Sequence, residues 1–472
     1  MRRLTFLAVA AAICAATWLS AAAAPESRPV ASDADYAMPQ SQEKTLDITM
    51  MNKPGLPPHI AVPPFVVLTA DQTTQDASRA LTEVLSADLK FEREFDVMPA
   101  SSYVGVPSAQ TIEALPYDRW TQLGADFVAL GTVKAAPGGK FEVEIRVVSM
   151  KERRQSYGAQ VTGSNLRRLA HTISDGMHKT MRAVDGVAMT RIAFSSTRDG
   201  ERYGKTVEER SAKEIYIMDY DGANQQKVTA NHSLNISASW CPDGQCLAYM
   251  TYQSGYPDIV LQNIFGQIGR SNPAHGSDSV HNYLPRISPD GTKIAYGSTL
   301  KGNAMDIYVV NRDGTNERRL TNNAASEGSP AWSPSGNLLA FTSDRTGTNN
   351  TKIYTMNADG TGLKRIENDC SHCDRPTFAP GLNGLLLAYS TQTGGGNDIE
   401  FYDLNNGQAR RLTNGEGTNE SPSFAPNGRH VLFVTTRWGK EQLAVVDIDG
   451  KNVRRLTELG ANTYPNWSGF LK

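Results

Sequence analysis

The sequence predicts an all-β six-bladed propeller that follows an N-terminal α/β domain. The repeating unit of the propeller is clearest in residues 329–366, where four apolar segments alternate with turns. A Ser-Pro-Ser-Gly turn joins the first two segments, and it is favourable because proline presets the second turn position and glycine suits the fourth. An Asp-Gly turn joins two later segments. Four strands in roughly 45 residues are typical of one propeller blade.

The same unit recurs along the C-terminal part of the chain. The turn with proline returns at 241–244, 288–291, 379–381 and 425–428. The apolar second strand occurs six times, centred on Ala193, Ala248, Ala295, Ala340, Ala388 and Leu432. The first of these copies has no first strand before it, whereas residues 464–468 form a first strand with no copy after it. We therefore expect the C-terminal strand to complete the first of six blades, in a propeller of residues 190–472.

The first 23 residues have the pattern of a secretory signal peptide. Arg2 and Arg3 precede an apolar run over 4–19, and small residues over 21–23 provide a cleavage site. A flexible polar tail is expected over 24–44, and no later apolar run approaches the ~20 residues of a membrane span. These features predict an exported, soluble protein. The formal charge of −2 argues against nucleic acid as a partner, which calls for a clustered basic face.

Residues 45–186 are predicted to form the α/β domain. Strands are expected at 46–50, 60–68, 126–133 and 140–150. The apolar spacing predicts a helix over 76–91 with Asp76 as its cap, and a weaker helix over 110–123. The clearest helix is expected at 165–184, where apolar residues follow one stripe.

Four cysteines lie in the propeller region. Cys241 and Cys246 flank the turn of the second blade, while Cys370 and Cys373 form a Cys-x-x-Cys loop between the fourth and fifth blades. In an oxidising compartment the leading interpretation is two local disulfides. The alternative is zinc, with His372 between the second pair, but the two pairs lie in different blades and need not meet.

The sequence contains no recognisable catalytic motif. Nucleophile elbows, zinc-protease motifs and phosphate loops are absent. Instead, the predicted links around one end of the channel are polar and differ from blade to blade, which suits a recognition surface on a rigid ring. The alternatives are ordinary solvated loops, or a secreted enzyme that acts on carbohydrate as a lyase or glycosidase. The candidate contact residues are His281, Asn282, Tyr283, Glu327, Arg345, Glu420, Arg437 and Tyr464.

We expect the face with His281 to be the partner site. The His281, Asn282 and Tyr283 side chains offer a ring, an amide and a phenol on one exposed link. Glu327 and Glu420 are expected on blades near that of His281, and the arginines are expected to offer complementary charge. The arginines in question are Arg198, Arg345 and Arg437.

Several segments resemble the TolB family of periplasmic proteins in the Tol–Pal system. They are 60–65 (IAVPPF), 123–126, 166–175 (LRRLAHTISD), 190–194, 219–222, and His281-Asn282 ahead of the turn at 288–291. An α/β domain of this size leading directly into six such blades makes the resemblance more specific than the propeller repeat alone. The resemblance implies a periplasmic, non-enzymatic protein without a cofactor or metal, which supports outer-membrane integrity and envelope constriction at division and is linked to protein import.

The resemblance also implies two binding surfaces on a monomer. The propeller face would bind Pal, the peptidoglycan-associated lipoprotein; His281 matches a family position associated with Pal, and Glu420 has a similar position. A short N-terminal segment would bind TolA, and other Tol or outer-membrane proteins are further candidate partners. We place this segment at Thr45, Leu46, Asp47, Ile48, Thr49, Met50 and Met51. The N-terminal stretch of the mature chain, about twenty residues, is longer and more polar than a typical family start. The limits of the TolA-binding segment therefore stay open.

Overall fold

Six four-stranded antiparallel sheets form the C-terminal part of the molecule. The structure is a computed structural model that describes residues 56–200, 212–265, 269–302, 304–347, 350–368, 370–380 and 386–471. We call the sheets blades 1 to 6 and their strands a to d, in hydrogen-bonding order. This architecture confirms the six-bladed propeller that the repeats predict.

The strand bounds of the six blades are as follows. Blade 1 has Asn462–Trp467, Arg191–Ser196, Glu214–Asp219 and Gln226–Lys227; blade 2 has Asn235–Trp240, Cys246–Thr251, Asp258–Asn263 and Arg270–Ser271; blade 3 has Asn282–Ile287, Lys293–Ser298, Asp306–Asn311 and Arg318–Arg319. Blade 4 has Glu327–Trp332, Leu338–Ser343, Lys352–Asn357 and Lys364–Arg365; blade 5 has Cys373–Phe378, Leu386–Thr393, Gly396–Asp403 and Gln408–Arg411; blade 6 has Asn419–Phe424, His430–Thr435, Gln442–Asp447 and Arg454–Arg455.

The C-terminal strand closes the ring. Asn462–Trp467 pairs with Arg191–Ser196, so the last strand of the chain is strand a of blade 1. The a strands of neighbouring blades contact one another around the ring, including those of blades 1 and 6. The a strands therefore line the central channel, and the first blade is completed as the sequence predicts.

Every a strand contains a β-bulge at its third residue. The register shifts there in all six blades, and the bulged residue has a left-handed backbone with φ between 49° and 58°. These residues are Ser237, Leu284, Ser329, Arg375, Ser421 and Tyr464. A bulge bends its strand and redirects the side chains beside it. The six bulges therefore form a ring around the channel.

The N-terminal domain is an α/β sandwich of one mixed sheet and two long helices. Its elements are β1 His59–Ala61, β2 Val66–Val67, α1 Gln72–Glu92, β3 Asp96–Val97, a 3₁₀ turn Ala100–Tyr103, α2 Tyr117–Gln122, β4 Phe127–Ala136, β5 Lys140–Ser149, β6 Arg154–Gly163 and α3 Leu166–Arg182. The sheet order is β3-β1-β4-β5-β6, with β2 paired to β4. The two long helices pack together, and their apolar faces form one core with alternate residues of β5, namely Val143, Ile145 and Val147. The predicted α/β character is confirmed.

Several boundaries in this domain differ from the sequence prediction. Helix α1 begins earlier, because the Asp71 carboxylate rather than Asp76 caps it and accepts the Thr74 N–H at 2.8 Å. The predicted strand at 60–68 is divided into β1 and β2, since Pro63 and Pro64 have no N–H for the sheet ladder. The second helix is much shorter than predicted, and strand β6 was not predicted.

The α/β domain packs against one end of the propeller through the C-terminus of α1. The Phe91 ring lies 4.6 Å from the Tyr220 ring, and the Arg454 guanidinium lies 3.9 Å from the Phe91 centroid. Buried Glu92 accepts the Val187 N–H and contacts His430 of blade 6. The two domains thus share an apolar contact surrounded by buried charged groups.

Four predictions lie outside the described residues: the signal peptide 1–23, the tail 24–44, the TolA-binding segment 45–51 and the strand at 46–50. In the part of the chain that the structure describes, no helix has both the length and the apolarity to cross a membrane.

Candidate protein-binding site

The two ends of the propeller differ in their connections. The d-to-a links and the b-to-c links lie at one end, which we call the link face, because strands a start there and strands b end there. The a-to-b and c-to-d turns lie at the other end, the turn face. The α/β domain contacts the turn face, for example through Arg167 with Asp221 and through Glu92 with Asn427. The predicted recognition residues all belong to the link face and the channel beneath it.

His281 is partly exposed on the link face and is held by its backbone. Its N–H donates to Thr299 Oγ1 at 3.0 Å, and its carbonyl accepts the Thr299 N–H at 3.1 Å. The imidazole Nδ1 lies 3.3 Å from the Tyr283 hydroxyl, and the two rings meet edge to face. Burial raises the pKa of Tyr283 well above its usual range. The His281 imidazole and the Tyr283 hydroxyl therefore present polar groups in a fixed position, supported by the partly buried Tyr283 ring.

An apolar cluster lies behind this aromatic pair. Its buried members are Ile236, Met250 and Tyr464, and its half-buried members are Leu234, Tyr252, Tyr283 and Leu284. The cluster spans blades 1 to 3 along one side of the channel. A partner that covers this side would meet hydrogen-bonding groups on an apolar background, an arrangement typical of interface hot spots.

Three of the predicted contact residues, Asn282, Glu327 and Tyr464, are buried, which corrects the expectation that they face a partner. Asn282 is 2% exposed and Glu327 is 0% exposed. Asn282 and Glu327 are each the first residue of an a strand. At this position the side chain forms a hydrogen bond either to the preceding blade or within its own blade. The Asn282 amide contacts Asp258 Oδ1 of blade 2 at 3.3 Å, and Asn419 and Asn462 make the matching contacts at 3.0 Å. The same hydrogen bond thus connects neighbouring blades at these three places in the ring.

The three link arginines fold back into their own blades instead of offering free positive charge. Each Nε donates to the last residue of strand b and each Nη2 to the first residue of strand a. Arg198 bonds Asn462, Arg437 bonds Asn419, and Arg345 bonds the buried Glu327 carboxylate. Burial lowers the pKa of Arg198 and of Arg437. The expectation of complementary charge from these arginines is therefore corrected: their polar atoms are largely engaged inside the blade.

Glu420 does not lie beside His281. It belongs to blade 6, three blades away from blade 3 and thus on the opposite side of the ring. Its carboxylate is half-buried and lies 3.5 Å from the Asn397 amide. Glu327 belongs to the adjacent blade, but it is buried. Tyr464 is also buried, beneath the Arg375 guanidinium at 4.2 Å.

Two apolar side chains on the link face were missed as contact residues. Trp438 is 38% exposed between the guanidinium groups of Arg437 and Arg455, at 5.8 and 5.1 Å. Leu459 is 69% exposed in the link from blade 6 to blade 1. A large aromatic flanked by arginines is a frequent energetic centre of protein interfaces. The signal for Trp438 was present in the sequence, because this residue interrupts a link that is otherwise polar.

The structure joins the four propeller cysteines in two local disulfides. Cys241 is bonded to Cys246 across the turn of blade 2, and Cys370 to Cys373 ahead of strand a of blade 5. Sulfurs bonded in this way are not the thiolates that bind zinc. The His372 ring nitrogen Nδ1 lies 3.0 Å from the Thr351 hydroxyl. A zinc site at these cysteines would require that the disulfides be reduced to thiols.

The geometry defines a class of protein: a closed six-bladed propeller that holds an α/β domain at one end and presents varied links at the other. Family models match both parts in this order, a TolB amino-terminal domain over residues 45–156 and a TolB beta-propeller domain over 178–471. The chain belongs to the TolB family.

Individual relatives agree with this assignment. The Tol–Pal system protein TolB of Desulfosudis oleivorans is 31% identical over 56% of this chain and 57% of its own length. The corresponding protein of Bordetella pertussis is 32% identical over 60% of this chain and 61% of its own length. The chain thus matches less than two thirds of these relatives. The crystal structure of TolB from Acinetobacter baumannii has a TM-score of 0.72 and 24% identity, over 88% of this chain and 98% of that one, which supports the fold.

Proposed function

We propose that this chain is a non-enzymatic periplasmic scaffold of the Tol–Pal system. In this proposal the link face binds Pal, and residues 45–51 bind TolA. The protein then supports outer-membrane integrity and envelope constriction at division. The observation that carries the proposal is the match of both TolB family domains, in the same order, on one chain. The relatives that are named Tol–Pal system proteins support the same system.

We further propose that the Pal contact covers the channel mouth and reaches both sides of the ring. On the blade 3 side the contact residues are His281 and Tyr283, and on the blade 6 side they are Glu420, Trp438 and Leu459. Asn282, Glu327, Arg345, Arg437 and Tyr464 then position the exposed groups without being the main contacts. The α/β domain occupies the opposite end, so it leaves this face accessible.

A matched pair of leucine substitutions tests the location. Leu459→Ala removes an exposed leucine from the link face, while Leu363→Ala removes a 44% exposed leucine from the turn face. Calorimetric titration with purified Pal domain should show weaker binding for Leu459→Ala and unchanged binding for Leu363→Ala. Equal affinities for both variants would place the Pal site elsewhere.

The TolA contact and the enzymatic alternative need separate experiments. Deletion of residues 45–51 should abolish TolA capture while Pal affinity stays at the wild-type level. Retained TolA binding would contradict the assignment of this segment. A pull-down from envelope extract should recover Pal; recovery of oligosaccharide without Pal would instead favour a carbohydrate-active propeller.

A further inference from the structure

A cavity of about 530 Å³ lies between the α/β domain and the turn face of the propeller. Its walls come from the start of α3, the connection to blade 1, and the turns of blades 1 and 2. The residues that matter to the argument are Arg167, Arg168, His171, Arg191, Asp219 and Phe265. The cavity is separate from the link face, and the proposed Pal and TolA contacts do not use it.

His171 lines this cavity with an unused ring nitrogen. The residue is 4% exposed, and its Nδ1 lies 2.8 Å from the buried Asp88 carboxylate. The other oxygen of Asp88 accepts the Tyr220 hydroxyl at 2.6 Å, so the acid and the ring are fixed. His171 Nε2 is buried and has no hydrogen-bond partner among the described residues. Buried polar atoms normally have a partner, so this nitrogen points to a water or ligand in the cavity.

The residues that line the cavity include three arginines, Arg167, Arg168 and Arg191, and one acidic residue, Asp219. Arg167 is neutralised by Asp221 at 2.7 Å and Asp219 at 3.5 Å. Arg168 and Arg191 have no ion-pair partner among the residues that the structure describes. Burial lowers the pKa of Arg191; the charge of Asp219 opposes this shift and that of Arg168 adds to it. The Arg191 guanidinium lies 4.5 Å from the Phe265 ring centroid.

The N-terminus of α3 opens into the same space. The helix begins at Leu166, and its cap Asn165 and first-turn arginines line the cavity. The first N–H groups of a helix carry partial positive charge and favour anions. This field acts in the same direction as the two arginines without ion-pair partners and as the charged form of His171, in which both ring nitrogens donate.

We propose that this interdomain cavity is a binding site for an oxyanion, the carboxylate or phosphate group of a small molecule. Arg168 and Arg191 supply charge-assisted hydrogen bonds, and His171 in its charged form donates from Nδ1 to Asp88 and from Nε2 to the anion. A single oxyanion does not fill a cavity of this size, which is in the usual range for small-molecule sites. Phe265 and the aliphatic side chains of the wall accommodate the rest of the ligand.

Calorimetric titration of the intact protein tests the site with inorganic phosphate and, separately, with acetate. Sodium chloride keeps the ionic strength equal in every run. We expect saturable binding of at least one anion, and the two arms distinguish a phosphate site from a carboxylate site. Arg191→Gln should weaken binding by about 10-fold, the usual effect of losing a charge-assisted hydrogen bond. The control is Arg411→Gln, an exposed arginine of blade 5 outside the cavity, which should change affinity less than about 2-fold.

Arg168→Gln provides a second test because this residue is exposed on α3 and its replacement should not disturb folding. Thermal melts of all variants identify any that fail to fold. Absence of saturable binding by both anions would overturn the proposal. Equal weakening of binding by Arg411→Gln, Arg191→Gln and Arg168→Gln would also overturn the proposal, because the loss would then follow from the net charge of the protein and not from contacts in the cavity.

Discussion

Replacement of Arg345 by methionine should destabilise the propeller much more than the same change at Arg198. The two arginines occupy equivalent positions in blades 4 and 1. Arg345 Nε donates to Ser343 at 3.0 Å, and Arg198 Nε donates to Ser196 at 2.9 Å. Their guanidinium groups lie 4.6 and 4.5 Å from equivalent tyrosine rings. The pair therefore forms a matched experiment.

The difference lies in the group that each arginine bonds on strand a. Arg198 bonds the neutral amide of Asn462, whereas Arg345 bonds the carboxylate of Glu327, which is 0% exposed. Loss of a hydrogen bond to a neutral group costs ~1 kcal/mol of unfolding free energy. An ionised carboxylate left buried without its partner costs ~3–5 kcal/mol. Asn323 and Ser343 still donate to Glu327 in the variant, which favours the lower end of that range.

A second substitution distinguishes this electrostatic cause from lost packing. Glu327→Asn places in blade 4 the residue that blades 1, 2, 3 and 6 have at this position. The double variant with Arg345→Met should therefore regain most of the lost stability. Urea unfolding and thermal melts of the four proteins measure the effect. Equal destabilisation by Arg345→Met and Arg198→Met, or no recovery in the double variant, would refute the reasoning.

Three further outcomes are expected. His281→Tyr should weaken Pal binding by ~1–3 kcal/mol in calorimetric titration and leave the melting temperature unchanged, since this side chain fills no core; unchanged affinity would move the site. Burial raises the pKa of Asp175, which accepts the Ala188 and Met189 N–H groups, to about 7. Because the unfolded pKa is about 4, unfolding free energy should fall by ~2–4 kcal/mol as pH rises between these values. Asp175→Asn should lack this contribution in urea unfolding, and parallel pH profiles would contradict it. Cys241→Ser with Cys246→Ser should cost ~2 kcal/mol of stability; peptide mapping of the non-reduced protein should show the bridge, and free thiols would refute it.

The propeller was predictable because each blade repeats the same local chemistry. Strand b of blade 4 was expected around Ala340 and occupies Leu338–Ser343. The turn glycines Gly291 and Gly336 have φ of 72° and 73°, a left-handed conformation that favours glycine. Closure of blade 1 was predictable for the same reason. The first strand b has no strand a before it, and the C-terminal strand a has no strand b after it, so the two were expected to pair.

The site was less predictable because a polar residue in a link is not necessarily exposed. Asn282 and Glu327 lie where the sequence changes from link to strand, and hydrogen bonds within and between blades bury them. Recurrence was the usable signal: four blades have asparagine at the first position of strand a, which indicates architecture rather than recognition. Arg198, Arg345 and Arg437 also recur at one offset after strand b. Trp438 and Leu459 do not recur, and they are exposed.

Ring closure has a consequence for folding. Strand a of blade 1 is separated in the sequence from its partner Arg191–Ser196 by the other five blades. Until these two strands pair, the protein has a sheet edge at blade 1 that can pair with other chains. Contacts between such distant segments form slowly, because a long loop must close first. Closure is therefore expected to be a late step in folding, and removal of Asn462–Trp467 would leave an open ring with an unpaired strand edge.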